Sequence, residues 1–280
     1  MRSAIQPYLE KWSLAPDGEA FRTASSILAP VVCDKGAAFL KVFRIEDERN
    51  SPSVLLQYDG RGAVRVIAHD AEAVLLERAT PGTPLSDLVR DAQDDEATSI
   101  LCEVARKLHQ ARPASAIPTL CDWAAAFSRY RRGPPHPLLR SSLLDEAERE
   151  FLDLCRTQGP GVLLHGDLHH DNILFDRTRG WIAIDPKGVA GEREFEMAMA
   201  LKNPQGSEAF YSQPDVLVGR VDIMARQLGL DRSRVLRWNF AQAMLSALWL
   251  VEDGESDDAV ASSLRLVETA RQVVSAERLG

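Results

Sequence analysis

The feature that most constrains the fold of this chain is a polar loop between two short apolar runs, in VLLHGDLHHDNILF at residues 162–175. The runs 162–164 and 173–175 are apolar enough to be buried strands, so packing fixes both ends of the loop. Residues 165–172 then project from rigid ends, as a site with well-defined polar geometry requires. The segment WIAIDPKG at 181–188 predicts a second strand that ends in a polar turn. The pattern therefore predicts a functional loop and not a simple connection.

The spacing of three polar residues in these segments fits phosphoryl transfer. Asp167 and Asn172 are five residues apart, the spacing at which a kinase catalytic loop carries its base and its metal-binding amide. Asp185 adds a carboxylate at the end of the second strand, and amide and carboxylate oxygens are ligands suited to Mg²⁺. Phosphoryl transfer needs a carboxylate to orient the acceptor hydroxyl and a metal to neutralise the phosphate charge.

The pattern changes near residue 80, and this change predicts two lobes. Before it, short strand-like runs are separated by turn signals, and one helix is predicted at 47–58. The predicted strands are 37–43, 63–69 and 73–78. After TPGTP, apolar residues recur at helical spacing. The late helices are predicted at 215–228, 232–251 and 257–276. The predicted fold class is α+β, with a small β-rich lobe at 1–79, a Pro/Gly hinge and a larger, mainly helical lobe at 80–280.

Composition and charge exclude several classes of function. The formal net charge is −8 and the sequence pI is near 5.4, whereas a nucleic-acid-binding surface would give a basic domain or stripe. The four cysteines show no metal-ligand spacing and are typical of reduced core thiols. No signal peptide is recognisable, and no apolar run approaches the roughly 18 residues of a membrane span. We therefore expect a cytoplasmic protein with neither a nucleic-acid nor a membrane partner, and nothing in the sequence indicates its oligomeric state.

HGDLHHDN followed by IDP resembles the aminoglycoside phosphotransferase family, relatives of protein kinases that phosphorylate antibiotics or other small hydroxyl compounds. More narrowly, DGRGAVRVIAHD, IDPKGVAGE and LSALW resemble its streptomycin 6-phosphotransferase branch, the aminoglycoside/hydroxyurea resistance kinases. The resemblance extends over about residues 21–254. It implies a bilobal protein-kinase-like fold, ATP and Mg²⁺ as cofactors, and a small-molecule acceptor.

The resemblance also assigns roles to individual residues. It makes Asp167 the catalytic base, and it makes Asn172 and Asp185 the Mg²⁺ ligands. Lys41, in FLKVF, becomes the strand lysine that pairs with the nucleotide phosphates. Its glutamate partner is predicted to be Glu48, with Glu46 as the alternative.

The nucleotide site is less clearly marked in the sequence. LLERA matches the hinge strand whose backbone would bind the adenine edge, which points to Glu77 and Ala79. No GxGxxG precedes the strand lysine, and RTASS at 22–26 stands in that position. In this family a serine-rich turn can replace the glycine loop, so Ser25 and Ser26 are predicted to face the phosphates.

The acceptor implied by the resemblance is streptomycin, which carries two guanidino groups. Guanidino groups pair well with carboxylates, so the predicted substrate residues are Glu192, Glu252 and Asp253. All three could equally be surface residues. Hydroxyurea or another small hydroxyl compound stays open as the acceptor. A catalytically silent nucleotide-binding module is the second alternative, although such a module has no chemical reason to keep the complete kinase set.

Overall fold

An antiparallel sheet forms most of the N-terminal lobe in the computed structural model, which describes residues 1–278. The first helix, α1 (Arg2–Lys11), packs against this sheet. The strands are β1 (Ala15–Pro16), β2 (Phe21–Arg22), β3 (Ser26–Cys33), β4 (Gly36–Phe43), β5 (Val66–His69) and β6 (Ala73–Glu77). They lie in the order β1-β3-β4-β6-β5, and β2 also pairs with β3. The three predicted strands are therefore present as β4, β5 and β6, within a larger sheet.

The alternation of side chains along β4 directs one charged residue away from the core of this lobe. Ala38, Leu40 and Val42 are buried in a small hydrophobic core together with Ile5 of α1. Successive side chains of a strand point to opposite faces, so Lys41 projects from the other face of the sheet. The sequence GAAFLKVF thus anchors the strand on one side and presents a lysine on the other.

A short helical segment crosses from the sheet toward the second lobe. A 3-10 turn (Glu46–Asn50) leads into helix α2 (Ser51–Tyr58), and Pro52 lies in the first turn of α2, where its missing N–H costs no hydrogen bond. The helix predicted at 47–58 is therefore confirmed. A Cβ built on Gly188 would lie 2.2 Å from Cγ2 of Val54 in α2, and Gly188 has φ +77°. Glycine is needed there, because any side chain would collide with the helix.

The C-terminal lobe is mainly helical, with short strands where it meets the N-terminal lobe. Its helices are α3 (Ser86–Arg90), α4 (Asp94–Leu108), α5 (Leu120–Trp123), α6 (Ala125–Arg132), α7 (Ser141–Thr157), α8 (Arg193–Ala200), α9 (Glu208–Tyr211), α10 (Pro214–Leu228), α11 (Arg232–Glu252) and α12 (Asp257–Glu277). Its strands are β7 (Pro81–Pro84), β8 (Val162–Leu164), β9 (Ile173–Asp176), β10 (Gly180–Ala183) and β11 (Val189–Gly191). The three predicted late helices are confirmed as α10, α11 and α12. The central one, α11, packs against α12, α8 and α7.

The chain passes from one lobe to the other immediately after β6. That strand belongs to the N-terminal sheet, whereas β7 pairs with β9 in the other lobe. The predicted division at residue 79/80 stays a working boundary close to this change of sheet, and residues 279 and 280 of the predicted second lobe lie outside the described residues. The predicted α+β class, with a small β-rich lobe and a larger helical lobe, is confirmed. Within residues 1–278, no helix has both the length and the apolar character of a bilayer span.

A buried arginine joins three parts of the helical lobe. Arg220 of α10 is 1% exposed, and its guanidinium donates to both carboxylate oxygens of Asp94 at the start of α4, over 2.6–3.2 Å. Its Nη1 also donates to the carbonyl of Asn203 at 2.6 Å. The segment after α8 is thereby fixed to α10 and α4.

Replacing Arg220 with Met should lower the free energy of unfolding by about 3 kcal/mol, because it leaves the largely buried Asp94 carboxylate and the Asn203 carbonyl without their partner. Urea denaturation monitored by circular dichroism measures the change. Arg226 is exposed on the same helix, and Arg226→Met is the matched control, with an expected change within about 0.5 kcal/mol. Equal losses in the two variants would contradict a specific role for the Arg220 ion pair.

Candidate functional site

Two antiparallel strand pairs hold the polar loop that the sequence singles out. β8 pairs with β11, and β9 pairs with β10. The loop runs from the end of β8 to the start of β9 and closes with a 3-10 turn at His170–Asn172. The amides of Lys187 and Gly188 both donate to the carbonyl of His165 at 2.9 Å. The predicted strands on both sides of the loop are confirmed, and its first residue is tied to the segment that follows β10.

The structure brings together the three residues that the sequence proposes for phosphoryl transfer. The Asn172 side-chain amide donates to the Asp167 carbonyl at 3.0 Å, which leaves the Asn172 side-chain oxygen for another partner. The amide of Ile184 donates to the Asn172 carbonyl at 2.9 Å, which places Asp185 next to this turn. Asp185 has φ +56°, a left-handed conformation uncommon for a residue with a side chain. Such strain is found preferentially at functional sites.

The Asp167 carboxylate lies beside basic side chains. Its oxygens are 3.7 Å from Nζ of Lys187 and 3.9 Å from Nε2 of His169. Burial raises the pKa of Asp167, but the charges of Lys187, His169 and Lys202 outweigh burial, so the pKa is lowered from its ordinary value. The side chain is still 27% exposed, so the carboxylate is both ionised at neutral pH and accessible. These are the properties of a group that can orient a hydroxyl and accept its proton.

A buried glutamate that the sequence analysis did not select holds the loop backbone. Glu196 of α8 is fully buried, and its two carboxylate oxygens accept from the amides of His165 at 2.5 Å and Gly166 at 3.0 Å. Nε2 of His165 lies 2.7 Å from the Ile184 carbonyl, and its Nδ1 accepts from the Asp167 amide at 3.3 Å. The backbone amides of His165, Gly166 and Asp167 are thus all held. The available signal was a charged residue in the otherwise apolar run of α8.

Replacing Glu196 with Gln should lower kcat by about tenfold, because the amide group can accept only one of the two backbone N–H bonds and sets a donor against the other. The KM for ATP should stay within twofold, since the hydrogen bonds of Glu196 are to His165 and Gly166 and not to the residues predicted to bind the nucleotide. Steady-state kinetics measure both quantities. Glu194→Gln on the same helix is the control, and a similar fall of kcat in that variant would argue against specific support of the loop.

Lys41 lies in a row of charges that joins the two lobes. It is 1% exposed, and its Nζ lies 2.5 Å from Oε2 of Glu48 and 2.5 Å from Oδ1 of Asp185. Burial lowers the pKa of Lys41, but the two carboxylates outweigh it, so the pKa is raised and the side chain stays charged. Of the two glutamates considered for this partner, Glu48 makes the ion pair, whereas Glu46 is exposed.

The serine-rich turn lies between β2 and β3, but its two serines have different surroundings. Ser25 is half-buried in the turn, and its carbonyl accepts from the Arg44 amide at 2.8 Å. Ser26 begins β3 and pairs with Phe43, and its side chain is fully buried. The enclosed Ser26 hydroxyl contradicts its prediction as a phosphate contact. Ser25 stays a prediction.

The two predicted hinge residues, Glu77 and Ala79, also have different surroundings. The Glu77 carboxylate accepts from the Arg65 amide at 2.8 Å and pairs with Arg179, so its side chain belongs to the lobe interface. The backbone N–H of Ala79 has no acceptor among residues 1–278. An unpaired backbone donor at this position is available to a ligand. The adenine contacts of Glu77 and Ala79 stay a prediction about their backbones.

Two adjoining cavities lie beside Lys187, whose Nζ is 3.7 Å from Asp167, and the sequence analysis found only part of their lining. The first has a volume of about 430 Å³ and is lined by, among others, Asp122, Trp123, Lys187, Trp249, Glu252 and Asp253. The second, of about 630 Å³, is lined by residues that include Lys187, Lys202, Glu208, Ser246, Trp249 and Asp253. Lys187, Trp249 and Asp253 border both cavities and mark the line where they meet.

Of the three predicted substrate residues, only Asp253 has an exposed carboxylate free of ion pairs within the described residues. Glu252 reaches the first cavity, but both its oxygens accept from Arg129 at 3.2 Å. It can still contribute negative charge there. Lys187 and Lys202 were missed because an isolated lysine carries no pattern, and only the fold shows that both lie beside Asp167.

The prediction for Glu192 is wrong. Its side chain is buried, its Oε1 lies 2.6 Å from Nε of Arg234, and the same oxygen accepts from the Trp238 indole N–H. Its other oxygen accepts from the Gly159 amide at 3.2 Å. Because β11 runs antiparallel to β8, Glu192 lies at the end of this strand pair that is remote from the catalytic loop. The residue fastens α11 to the strands and faces neither cavity.

Comparison with known proteins gives consistent results. The family described as aminoglycoside/hydroxyurea antibiotic resistance kinase matches residues 11–254. Streptomycin 3''-kinase from Klebsiella pneumoniae is 39% identical over 251 residues, which cover 88% of this chain and 92% of that protein. Streptomycin 6-kinase from Streptomyces griseus is 30% identical over 259 residues, covering 88% and 81%. A thermostable mutant of aminoglycoside phosphotransferase APH(4)-Ia, solved with ADP and hygromycin B, aligns with a TM-score of 0.70 at 15% identity, over 96% of this chain and 98% of that one.

Proposed function

The chain belongs to the aminoglycoside/hydroxyurea antibiotic resistance kinase family, and from this membership we propose that it transfers the γ-phosphoryl group of ATP to a hydroxyl of streptomycin. The observation that carries the proposal is the single constellation of Asp167, Asn172, Asp185 and Lys41 at the junction of the lobes. We place the reaction in the cytoplasm, where ATP is available. In this arrangement the acceptor and the nucleotide would bind on opposite sides of Asp167.

Asp167 is the proposed catalytic base. Its carboxylate is ionised and partly exposed, and its backbone is held through His165 and Gly166. It would accept a hydrogen bond from the acceptor hydroxyl, orient the oxygen toward the γ-phosphorus and take the proton as the bond forms. Positioning and charge neutralisation supply most of the acceleration in this type of reaction.

Asn172 and Asp185 have the donor atoms that Mg²⁺ requires. Each offers an oxygen, since the Asn172 nitrogen already donates to Asp167 and only Oδ1 of Asp185 is paired with Lys41. These hard oxygen ligands fit a cation that also binds phosphate and water. When bound, Mg²⁺ would neutralise the charge of the phosphates during transfer.

Lys41 and two backbone segments are proposed to bind the nucleotide. The Lys41 ammonium, kept charged by Glu48 and Asp185, would pair with phosphate oxygens. The free N–H of Ala79 would donate to the adenine edge, and the turn that contains Ser25 would cover the phosphates.

The first cavity supports a cationic acceptor. Asp253 contributes a free carboxylate, and Trp249 stacks edge-to-face with Trp123 at 5.4 Å between ring centroids. A carboxylate beside aromatic faces suits a guanidino group, which combines charge with a flat surface. The two cavities together are also much larger than hydroxyurea requires. These features favour streptomycin over hydroxyurea.

Purified protein incubated with Mg²⁺, ATP and a panel of acceptors tests this function. The panel holds streptomycin, other aminoglycosides, hydroxyurea and small sugars, and mass spectrometry detects an added phosphate. We expect phosphorylated streptomycin, and NMR of the product distinguishes the 3'' hydroxyl from the 6 hydroxyl, the positions for which the relatives above are named. A product formed only from another acceptor would support the kinase activity but would reject streptomycin as the substrate. ATP binding without any product would contradict the proposed activity.

A further inference from the structure

We propose that Lys202 and Ser246 form a subsite that recognises oxygen atoms of the acceptor, next to Asp167 and separate from the region that takes its cationic groups. This inference rests on the proposed function and specifies how the acceptor lies in the cleft. Neither residue belongs to the kinase motif.

Lys202 is held in one position by its neighbours. It lies two residues beyond the end of α8, and the carbonyl of the next residue, Asn203, accepts from the buried Arg220 at 2.6 Å. The Lys202 ammonium donates to Oγ of Ser246 on α11. Within the described chain its bond is thus to a neutral hydroxyl and not to a carboxylate. A cation placed this way keeps most of its hydrogen-bonding capacity for another group.

The hydrogen bonds at Ser246 determine what the pair can bind. Oγ of Ser246 accepts from Lys202 and also from Nε2 of Gln242 at 2.8 Å. Gln242 is fully buried, so this second bond is shielded from water. A hydroxyl oxygen has two lone pairs, and with both occupied its own O–H must serve as a donor. The ammonium of Lys202 has three N–H groups, of which Ser246 takes one.

Both residues line the second cavity and give one part of its wall a pair of donors, whereas Glu208 and Asp253 line it elsewhere. This pair of donors binds oxygen acceptors such as hydroxyl, ether or carbonyl groups, and its ammonium repels guanidinium and ammonium groups. The first cavity has three acidic residues in its lining, Asp122, Glu252 and Asp253, and neither Lys202 nor Ser246 lines it. Because Lys187 also lines this cavity and its Nζ lies 3.7 Å from Asp167, the oxygen-rich part of the acceptor in the second cavity is brought to the catalytic carboxylate. The acceptor therefore enters with its cationic groups in the first cavity and its hydroxyls in the second.

The charge of Lys202 changes near the working pH. Burial lowers the pKa of Lys202 to about 8; the charge of Asp167 opposes this shift and that of Lys187 adds to it. The ammonium is therefore present below pH 8 and is lost above it. Affinity for the acceptor should decline as the pH rises through this value.

Other titratable groups lie on or near the same cavity. Lys187, Glu208 and Tyr211 of α9, and Asp253 just after α11 line it; Asp167 lies 3.7 Å from Lys187, and His169 lies 3.9 Å from Asp167. Burial raises the pKa of Tyr211 to about 12, and burial lowers the pKa of His169 below its ordinary 6.5.

The test compares Lys202→Met and Ser246→Ala with Lys35→Met, an exposed lysine in the β3–β4 turn. For Lys202→Met we expect the KM for streptomycin to rise about tenfold or more, as for loss of a charged hydrogen bond, and for Ser246→Ala about threefold. The Kd for ATP should stay within twofold in all three variants, which also verifies that they are folded. In the wild type, kcat/KM for streptomycin should fall above about pH 8, and this fall should be absent in Lys202→Met.

The outcomes separate this inference from the proposed function. Unchanged acceptor KM in both variants, with the fall above pH 8 retained, would overturn the subsite while leaving the kinase in place. If the wild type transfers no phosphate, calorimetric titration with streptomycin still tests whether the subsite binds the acceptor. Weaker binding by Lys202→Met then supports the subsite, whereas equal or absent binding by the wild type and the variant overturns it.

Discussion

Replacing Asp167 with Asn is expected to lower kcat for phosphoryl transfer by a factor of about 10³, within the range measured for loss of a general base. The amide has nearly the same shape as the carboxylate but cannot take the proton of the acceptor hydroxyl. The Kd for ATP should change less than twofold, because the nucleotide contacts are assigned to Lys41 and the hinge. Steady-state kinetics with streptomycin and fluorescence titration with ATP measure the two quantities.

A second aspartate in the same loop provides the control for this experiment. Asp171 lies 3.7 Å from a guanidinium nitrogen of Arg90, and its Oδ2 accepts from the Gln205 amide at 3.4 Å. We expect Asp171→Asn to keep kcat within about threefold, because this carboxylate has a supporting contact and no assigned chemical step. Turnover that is unchanged in Asp167→Asn would remove Asp167 from the mechanism.

Replacing Lys41 with Met is expected to lower kcat/KM for ATP by about 10²–10³, the usual effect of removing one donor that stabilises charge in the transition state. Methionine fills a similar volume inside the sheet but leaves Glu48 and Asp185 facing each other without a cation. Both phosphate binding and the placement of Asp185 should suffer. Kinetics with varied ATP and direct titration of ATP binding separate these effects.

Variants of Glu46 and Glu48 test which glutamate is the functional partner of Lys41. Glu48→Gln removes one counter-ion and should lower kcat/KM for ATP by about tenfold. Glu46→Gln changes an exposed residue in the same turn and should have almost no effect. A stronger effect at Glu46 than at Glu48 would show that the ion pair seen at Lys41 is not the one that supports catalysis.

The catalytic loop was predictable because its chemistry is encoded over a short distance. Asp167 and Asn172 share one loop, and buried strands on both sides restrict where that loop can lie. The role of Lys41 was harder to predict, since its partner Asp185 lies 144 residues away in the sequence. Only the motif suggested the pairing. The alternation of apolar residues in β4 supplied the physical reason why Lys41 leaves the core of its own lobe.

The acidic residues after β11 show what local pattern cannot decide. Glu192 immediately precedes α8 and Glu196 lies in its first turns, four residues later, so both can turn inward from the same side. Glu192 meets Arg234, whereas Glu196 meets the catalytic loop. The choice depends on where α11 and β8 lie, which is a property of the tertiary fold. Sequence analysis selected the first and overlooked the second for this reason.

Some of the N-terminal lobe also lay beyond local prediction. β3 contains Pro30, which cannot donate to a strand ladder and so weakens the strand signal. Its place in the sheet follows from the partners on both sides, β1 and β4. The short strands β1 and β2 have only two residues each and no periodicity to detect.

The contact between Gly188 and α2 sets a limit on how this enzyme can vary. Gly188 follows Asp185 by three residues, and the helix it touches begins just after the turn that carries Glu48. A single methyl group at residue 188 would push against Val54, and with it against the element that places a counter-ion beside Lys41. Resistance to an antibiotic would then depend on a residue that has no functional group. A change at residue 188 is therefore restricted for a reason that is geometric and not chemical.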